Sequence, residues 1–365
     1  MPQNSNSIPF QSVLDALVEN GKPFPASYLT RFSDIQSSDL ALLKKTWEDV
    51  KPKRRLNLVE DLIKFNEKTT IACFDDVAVF FLTDDDARVR TAAIRLLRES
   101  EDPRIVERLI KLLEKDKQLI VRAAAAGGLG PFVLLGELDK ISAEKLAHIE
   151  RVLLSRITGT DDDLVRRSAL EAMGYSSRKE MVNLISEAFE ENDPDWVASS
   201  LVAMGRSASD EWEMHILRSL FHPDPVVRIE AIRAAGSLNL TRAVEPLLEL
   251  LDAGESNKEL RFAAIWALSE IGGEKANAAL ESLLDNAATD EEADFIEDAI
   301  DNIGYGDSSL GLDFLDLDDL RQNASTYQDS DDELYEEDEL DEEGYGNDDY
   351  DQEPPSEQSA RYDYD

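Results

Sequence analysis

Apolar residues recur three and four positions apart along most of this chain, the spacing of one face of an α-helix. The clearest unit runs from Asp224 to Ala253. Val227, Ala231, Ile232 and Ala235 fall on one stripe, and Val244, Leu247, Leu248 and Leu251 on another. The pattern predicts two helices, the second from Thr241 to Leu251. Asp224 can cap the first, and Pro225 sits at the first helical position, where its missing N–H costs nothing. Gly236 is expected to end that helix in a left-handed conformation. One such hairpin cannot bury both stripes alone, so stacked copies are expected on either side.

The copies are visible. Arg90, Arg122, Arg166, Arg228 and Arg261 occupy one place near the start of successive units, and Ala198 stands where another arginine is due. The spacing is about 30 residues, with one longer step between Arg122 and Arg166 and a final copy ending at Gly304. The longer step hides an insertion of about 12 residues, Gly130 to Ile141, which is expected to be a loop. A period of about 30 with two helices per unit predicts an all-α fold, a right-handed α-solenoid of about six to seven stacked repeats.

The segments Asp86-Ala87-Arg88-Val89-Arg90, Asp162-Asp163-Leu164-Val165-Arg166 and Asp224-Pro225-Val226-Val227-Arg228 resemble HEAT repeats. The short type found in phycobilin lyases looks closest. The resemblance spans roughly residues 75 to 304. It implies a scaffold and, as an alternative, a chromophore-handling lyase. It also implies an aspartate–arginine ladder between neighbouring repeats, mapped onto Asp86/Arg90, Asp162/Arg166 and Asp224/Arg228, with Arg122 and Arg261 lacking the preceding aspartate. Ala198 breaks the ladder.

Around the repeats the chain divides as follows. Residues 1–38 are polar and expected to be partly ordered, with a short helix from Phe10 to Glu19. Residues 39–304 form the solenoid, opened by an atypical capping repeat through Leu56, Val59, Leu62 and Ile63. Residues 305–320 mix acids with large apolar residues and read either as a docking helix, with Phe314 and Leu317 as contacts, or as a segment packed on the last repeat. Residues 321–365 are expected to be a disordered acidic tail.

Charge sharpens the functional reading. The 365 residues carry a formal net charge of −40. Such a charge opposes nucleic acid and anionic membranes and favours a basic protein partner. Residues 307–365 alone hold 23 acidic side chains against Arg321 and Arg361. No run is expected to cross a membrane, and no secretory signal is evident at Met1-Pro2-Gln3-Asn4-Ser5, which together suggest the cytoplasm.

Little in the chain points to catalysis. His148, His215 and His222 lack metal-ligand spacing, so no metal and no cofactor are expected. Gly127-Gly128-Leu129-Gly130 follows a helix and is expected to break it rather than bind phosphate. Cys73, the single cysteine, reads as a buried thiol in a helix from Ala72 to Leu82. Lys51-Pro52-Lys53-Arg54-Arg55 is the one dense basic run, and it reads as a solvated helix start or an anion contact. Phe132 and Leu135 in the insertion, and Trp196 and Trp212 in one repeat, read as partner contacts or as core. The expected function is a non-enzymatic protein scaffold whose acidic tail binds electrostatically or inhibits. A phycobilin-lyase-like protein and an acidic chaperone or nucleic-acid mimic for a basic partner are the alternatives.

Overall fold

The computed structural model describes residues 8–19, 21–69, 71–252, 257–287 and 289–305. Among these residues there are eighteen α-helices, a few short 3-10 turns and no strand. Helices α1 (Phe10–Val18), α2 (Ser37–Thr46), α3 (Pro52–Asn66) and α4 (Asp75–Phe81) build the N-terminal end. The repeats follow as α5 (Ala87–Leu96) with α6 (Val106–Lys115), and α7 (Leu119–Gly128) with α8 (Gly130–Glu137) and α9 (Ala143–Ile157). Next come α10 (Asp163–Met173) with α11 (Glu180–Phe189), and α12 (Pro194–Arg206) with α13 (Glu213–Ser219). The last are α14 (Pro225–Ser237) with α15 (Val244–Asp252), α16 (Lys258–Ile271) with α17 (Glu274–Asp285), and α18 (Asp290–Tyr305). The segment from Leu310 to Asp365, including Phe314, Leu317 and the expected tail, lies outside the described residues.

The first helices form one continuous series in which α3, α5, α7, α10, α12, α14, α16 and α18 touch in order. Each second helix lies closest to the first helix that follows it, as α6 does to α7, α11 to α12, α13 to α14 and α17 to α18. Repeats therefore interlock with their neighbours more than they close on themselves. The core runs the length of this series, from Val13 and Leu14 through Val121, Leu170, Leu201 and Ile232 to Ile296 and Ala299, all fully buried.

Short polar residues start the first helices. Asp86, Asp162, Asp193, Asp224 and Asn257 each accept from the amide two residues on, at 2.8–3.0 Å. These contacts satisfy amides that have no partner inside the helix.

Four expectations are corrected. Gly236 does not end α14; the left-handed residue is Asn239, φ 50°, whose amide donates to the Gly236 carbonyl. The insertion is no loop, because residues 130–137 form α8, with Gly130, Phe132, Val133 and Leu135 buried. The glycine run does not break the chain either: Leu129, at φ −83° and ψ −17°, keeps it nearly helical between α7 and α8. Residues 119–137 thus make a 19-residue stretch long and apolar enough to span a membrane, and 56% of it is buried against other helices. Finally, Cys73 lies exposed before α4 rather than inside a helix. Its amide donates to Ser33 Oγ and its carbonyl accepts from Asp34.

Candidate protein-binding surface

The resemblance implied an aspartate–arginine ladder between neighbouring repeats, drawn from Asp86/Arg90, Asp162/Arg166 and Asp224/Arg228. Those aspartates cap their own helices, and Arg90 and Arg122 reach forward to acids at the start of the next repeat. Arg90 donates from Nε and Nη2 to both oxygens of Asp116, at 2.9 Å each. Arg122 does the same to Asp161, at 3.3 and 2.8 Å. The remaining nitrogen, Nη1, donates to carbonyls five and six residues back: Asp84 and Asp85 from Arg90, Asp116 and Lys117 from Arg122. Arg228 places its Nη1 identically on His222 and Pro223. Arg261 reaches Glu292 at 2.5 Å, and Arg55 reaches the buried Asp84, which also accepts from Trp47 Nε1 at 2.6 Å.

The series lapses in the middle. Arg166 turns back to the Ile157 carbonyl and Asp163, and its guanidinium lies over the Trp196 ring at 4.9 Å. Ala198 has nothing to donate. In the same region the helices come very close. A Cβ built on Gly174 would lie 2.8 Å from Ala203, and one on Gly205 would lie 3.0 Å from Ala234. One on Gly236 would lie 3.1 Å from the Ala267 backbone. Backbone proximity there is joined by other ion pairs between neighbouring repeats, Arg167 with Asp195 and Arg233 with Glu259.

The expected contact residues do not form a surface. Phe132, Leu135, Trp196 and Trp212 are all buried, because the helical insertion, the first turn of α12 and the 3-10 turn before α13 fold them into the core. The basic run is largely consumed as well. Arg54 donates to the Ala16 and Lys22 carbonyls and lies over the Phe24 ring, and Arg55 donates to Val50 and Asp84. Lys51 and Lys53 remain exposed. Among the described residues, no group of three His, Cys, Asp or Glu side chains is placed to hold a metal.

What the surface does show is a gradient of charge. Residues 41–160 are nearly balanced, with 22 basic and 20 acidic side chains, whereas residues 161–305 hold 12 basic and 31 acidic ones. Most of those bases are already paired, including Arg167 with Asp195, Arg178 with Glu150 and Glu180, and Lys258 with Glu291. The excess carboxylates gather at the C-terminal end, where Asp290, Asp294, Glu297, Asp298 and Asp301 stand exposed on α18. Beside them lies an aromatic group that the sequence reading missed. Phe262 and Phe295 stack at 4.5 Å with planes 8° apart, and Trp266 lies 6.2 Å from Phe295. All three rings remain partly exposed. The signal was available as Phe262 and Trp266 four residues apart, with Phe295 one repeat further on in the final copy that ends at Gly304.

The family model described as HEAT repeats matches residues 40–130, 75–148 and 213–304. The chain belongs to the HEAT-repeat family. The stretch between these HEAT-repeat matches contains Arg166, Trp196 and Ala198, the place where the arginine rungs lapse. No curated protein matches the chain. Among solved structures it is similar to the complex of CpcE and CpcF of phycocyanin lyase from Nostoc sp. PCC7120, with 20% identity, 63% of this chain and 94% of that chain covered, and a TM-score of 0.41. It is similar also to human deoxyhypusine hydroxylase in complex with glycerol, with 15% identity, 81% and 96% covered, and a TM-score of 0.34. An engineered protein is 23% identical, with 55% and 97% covered and a TM-score of 0.34.

Proposed function

We propose that this HEAT-repeat protein is a non-enzymatic scaffold that binds a basic protein partner. The single observation carrying the reading is the charge gradient: 31 acidic against 12 basic side chains in residues 161–305, on a row of helices that exposes much of its outer face. Complementary charge of this kind speeds encounter and selects partners by sign. The acidic residues from Asp307 onward extend the same sign and supply further electrostatic contacts.

The test is affinity purification from the native cell of the full chain and of a chain ending at Gly304, with co-purifying proteins identified by mass spectrometry. A basic protein retained by both chains and released by about 0.5 M salt is the expected result. Loss of every partner with residues 305–365 removes the repeats from the binding role.

A further inference from the structure

We propose that the face shared by α16 and α18 takes a lysine- or arginine-rich amphipathic segment of the partner, an assignment that rests on the scaffold reading above. Three partly exposed rings, Phe262, Trp266 and Phe295, lie together on this face. Aromatic side chains that are only partly covered in this way are frequent anchors of interface energy. Glu291 and Asp298 stand four residues before and three after Phe295, which places them beside that ring on α18, with Asp294 on the outer edge. Among the described residues, no basic side chain pairs with Asp294 or Asp298.

The surface already accepts one cation. Lys258 Nζ sits over the Phe262 ring at 5.2 Å while pairing with Glu291 at 2.7 Å. A ring face and a carboxylate therefore act on one ammonium group, and the partly exposed Trp266 and Phe295 lie on the same face as the exposed Asp298. A partner helix with an apolar stripe flanked by lysines would set the stripe on the rings and the lysines on the carboxylates of α18. An acidic or purely apolar segment would meet repulsion or leave those carboxylates unneutralised.

The test uses the full chain and two synthetic amphipathic peptides of about 18 residues. They share one leucine pattern and carry either lysine or glutamate at the polar positions. Tryptophan emission is followed, with Trp266→Phe as the control that removes the local signal. The expected result is a saturable change with the lysine peptide that disappears in Trp266→Phe. Its Kd should weaken about fivefold to tenfold in Asp294→Asn/Asp298→Asn at low salt. The residues after 305 are unchanged in that variant, so the weakening belongs to α18. The proposal is overturned if Trp266 does not respond, if the Asn variant binds as tightly, or if the glutamate peptide binds equally. An emission change that follows protein concentration alone means a second copy of the chain is the occupant, and it overturns the proposal too. A native partner that still co-purifies with the Asn variant would leave the scaffold reading standing and reject only this surface.

Discussion

Arg122 shows how one side chain joins two repeats. Its guanidinium ties the loop before α7 to itself through two carbonyls and then grips Asp161 ahead of α10. Both partners are largely shielded, with 20% and 12% of their side-chain surfaces exposed. Arg122→Ala leaves a shielded carboxylate without its main donor, and we expect a loss of about 1–3 kcal/mol, read from the urea midpoint. Hydrogen bonding from Arg122, ahead of its charge, holds the Asp161 carboxyl below its ordinary range. A carboxyl with a lower pKa when folded than when unfolded adds stability above the unfolded value. That contribution disappears as pH falls through the folded one. The wild-type chain should therefore lose stability below about pH 4 more steeply than Arg122→Ala, and thermal melts from pH 6 to pH 3 would show parallel curves if the rung were inert. The arginine positions were readable in the sequence, but their partners were not. The aspartates that the resemblance put in the ladder, Asp86, Asp162 and Asp224, are committed to capping their own helices.

At the scale of the helix, two glycines separate packing from propensity. A Cβ on Gly174 would press to 2.8 Å on the Ala203 backbone, and neither helix can retreat without disturbing its other neighbour. Gly174→Ala should cost about 1–3 kcal/mol. Gly127 is also helical, but a Cβ there meets nothing within 4 Å. Gly127→Ala should instead raise stability by about 0.5–1 kcal/mol, since alanine is the better helix former and loses less entropy on folding. Paired calorimetric melts would decide the matter, and equal shifts of one sign would sink it. The helices themselves were legible wherever an aspartate, a valine and an arginine stood at fixed offsets. Helix α8 was not legible, because Gly130, Pro131 and Gly136 are residues of turns, and its apolar positions show no single face. Helical structure there comes from tertiary packing: a Cβ built on Gly130 would lie 3.3 Å from the Ala172 backbone, and Gly136 leaves room for Leu146.

For the whole molecule, the balance of charge decides how solution conditions act. The surplus of carboxylates in residues 161–305 repels itself, while the ion pairs that hold the repeats are mostly short and shielded. Added salt screens the diffuse repulsion more than the close pairs. The melting temperature should thus rise between about 20 and 300 mM NaCl, and a fall would mean that exposed ion pairs outweigh the repulsion. The repeat architecture and the acidic balance were both legible in the sequence. The candidate site was not, since it needs Phe295 from α18 set against Phe262 and Trp266 from α16, a juxtaposition that only the folded stack supplies.

The stack is joined by forward-reaching arginines toward its ends and, from Gly174 to Gly236, by glycine against alanine beside the Arg167–Asp195 and Arg233–Glu259 pairs. These joints answer differently to a pull along the chain. A guanidinium on a flexible stem can follow a receding carboxylate for an ångström or more before letting go. Two backbones in van der Waals contact lose most of their attraction within that same distance. Tension on this protein would therefore meet compliant ends and a stiffer middle, and the first repeat boundary to part would be one of those where close backbones carry most of the contact.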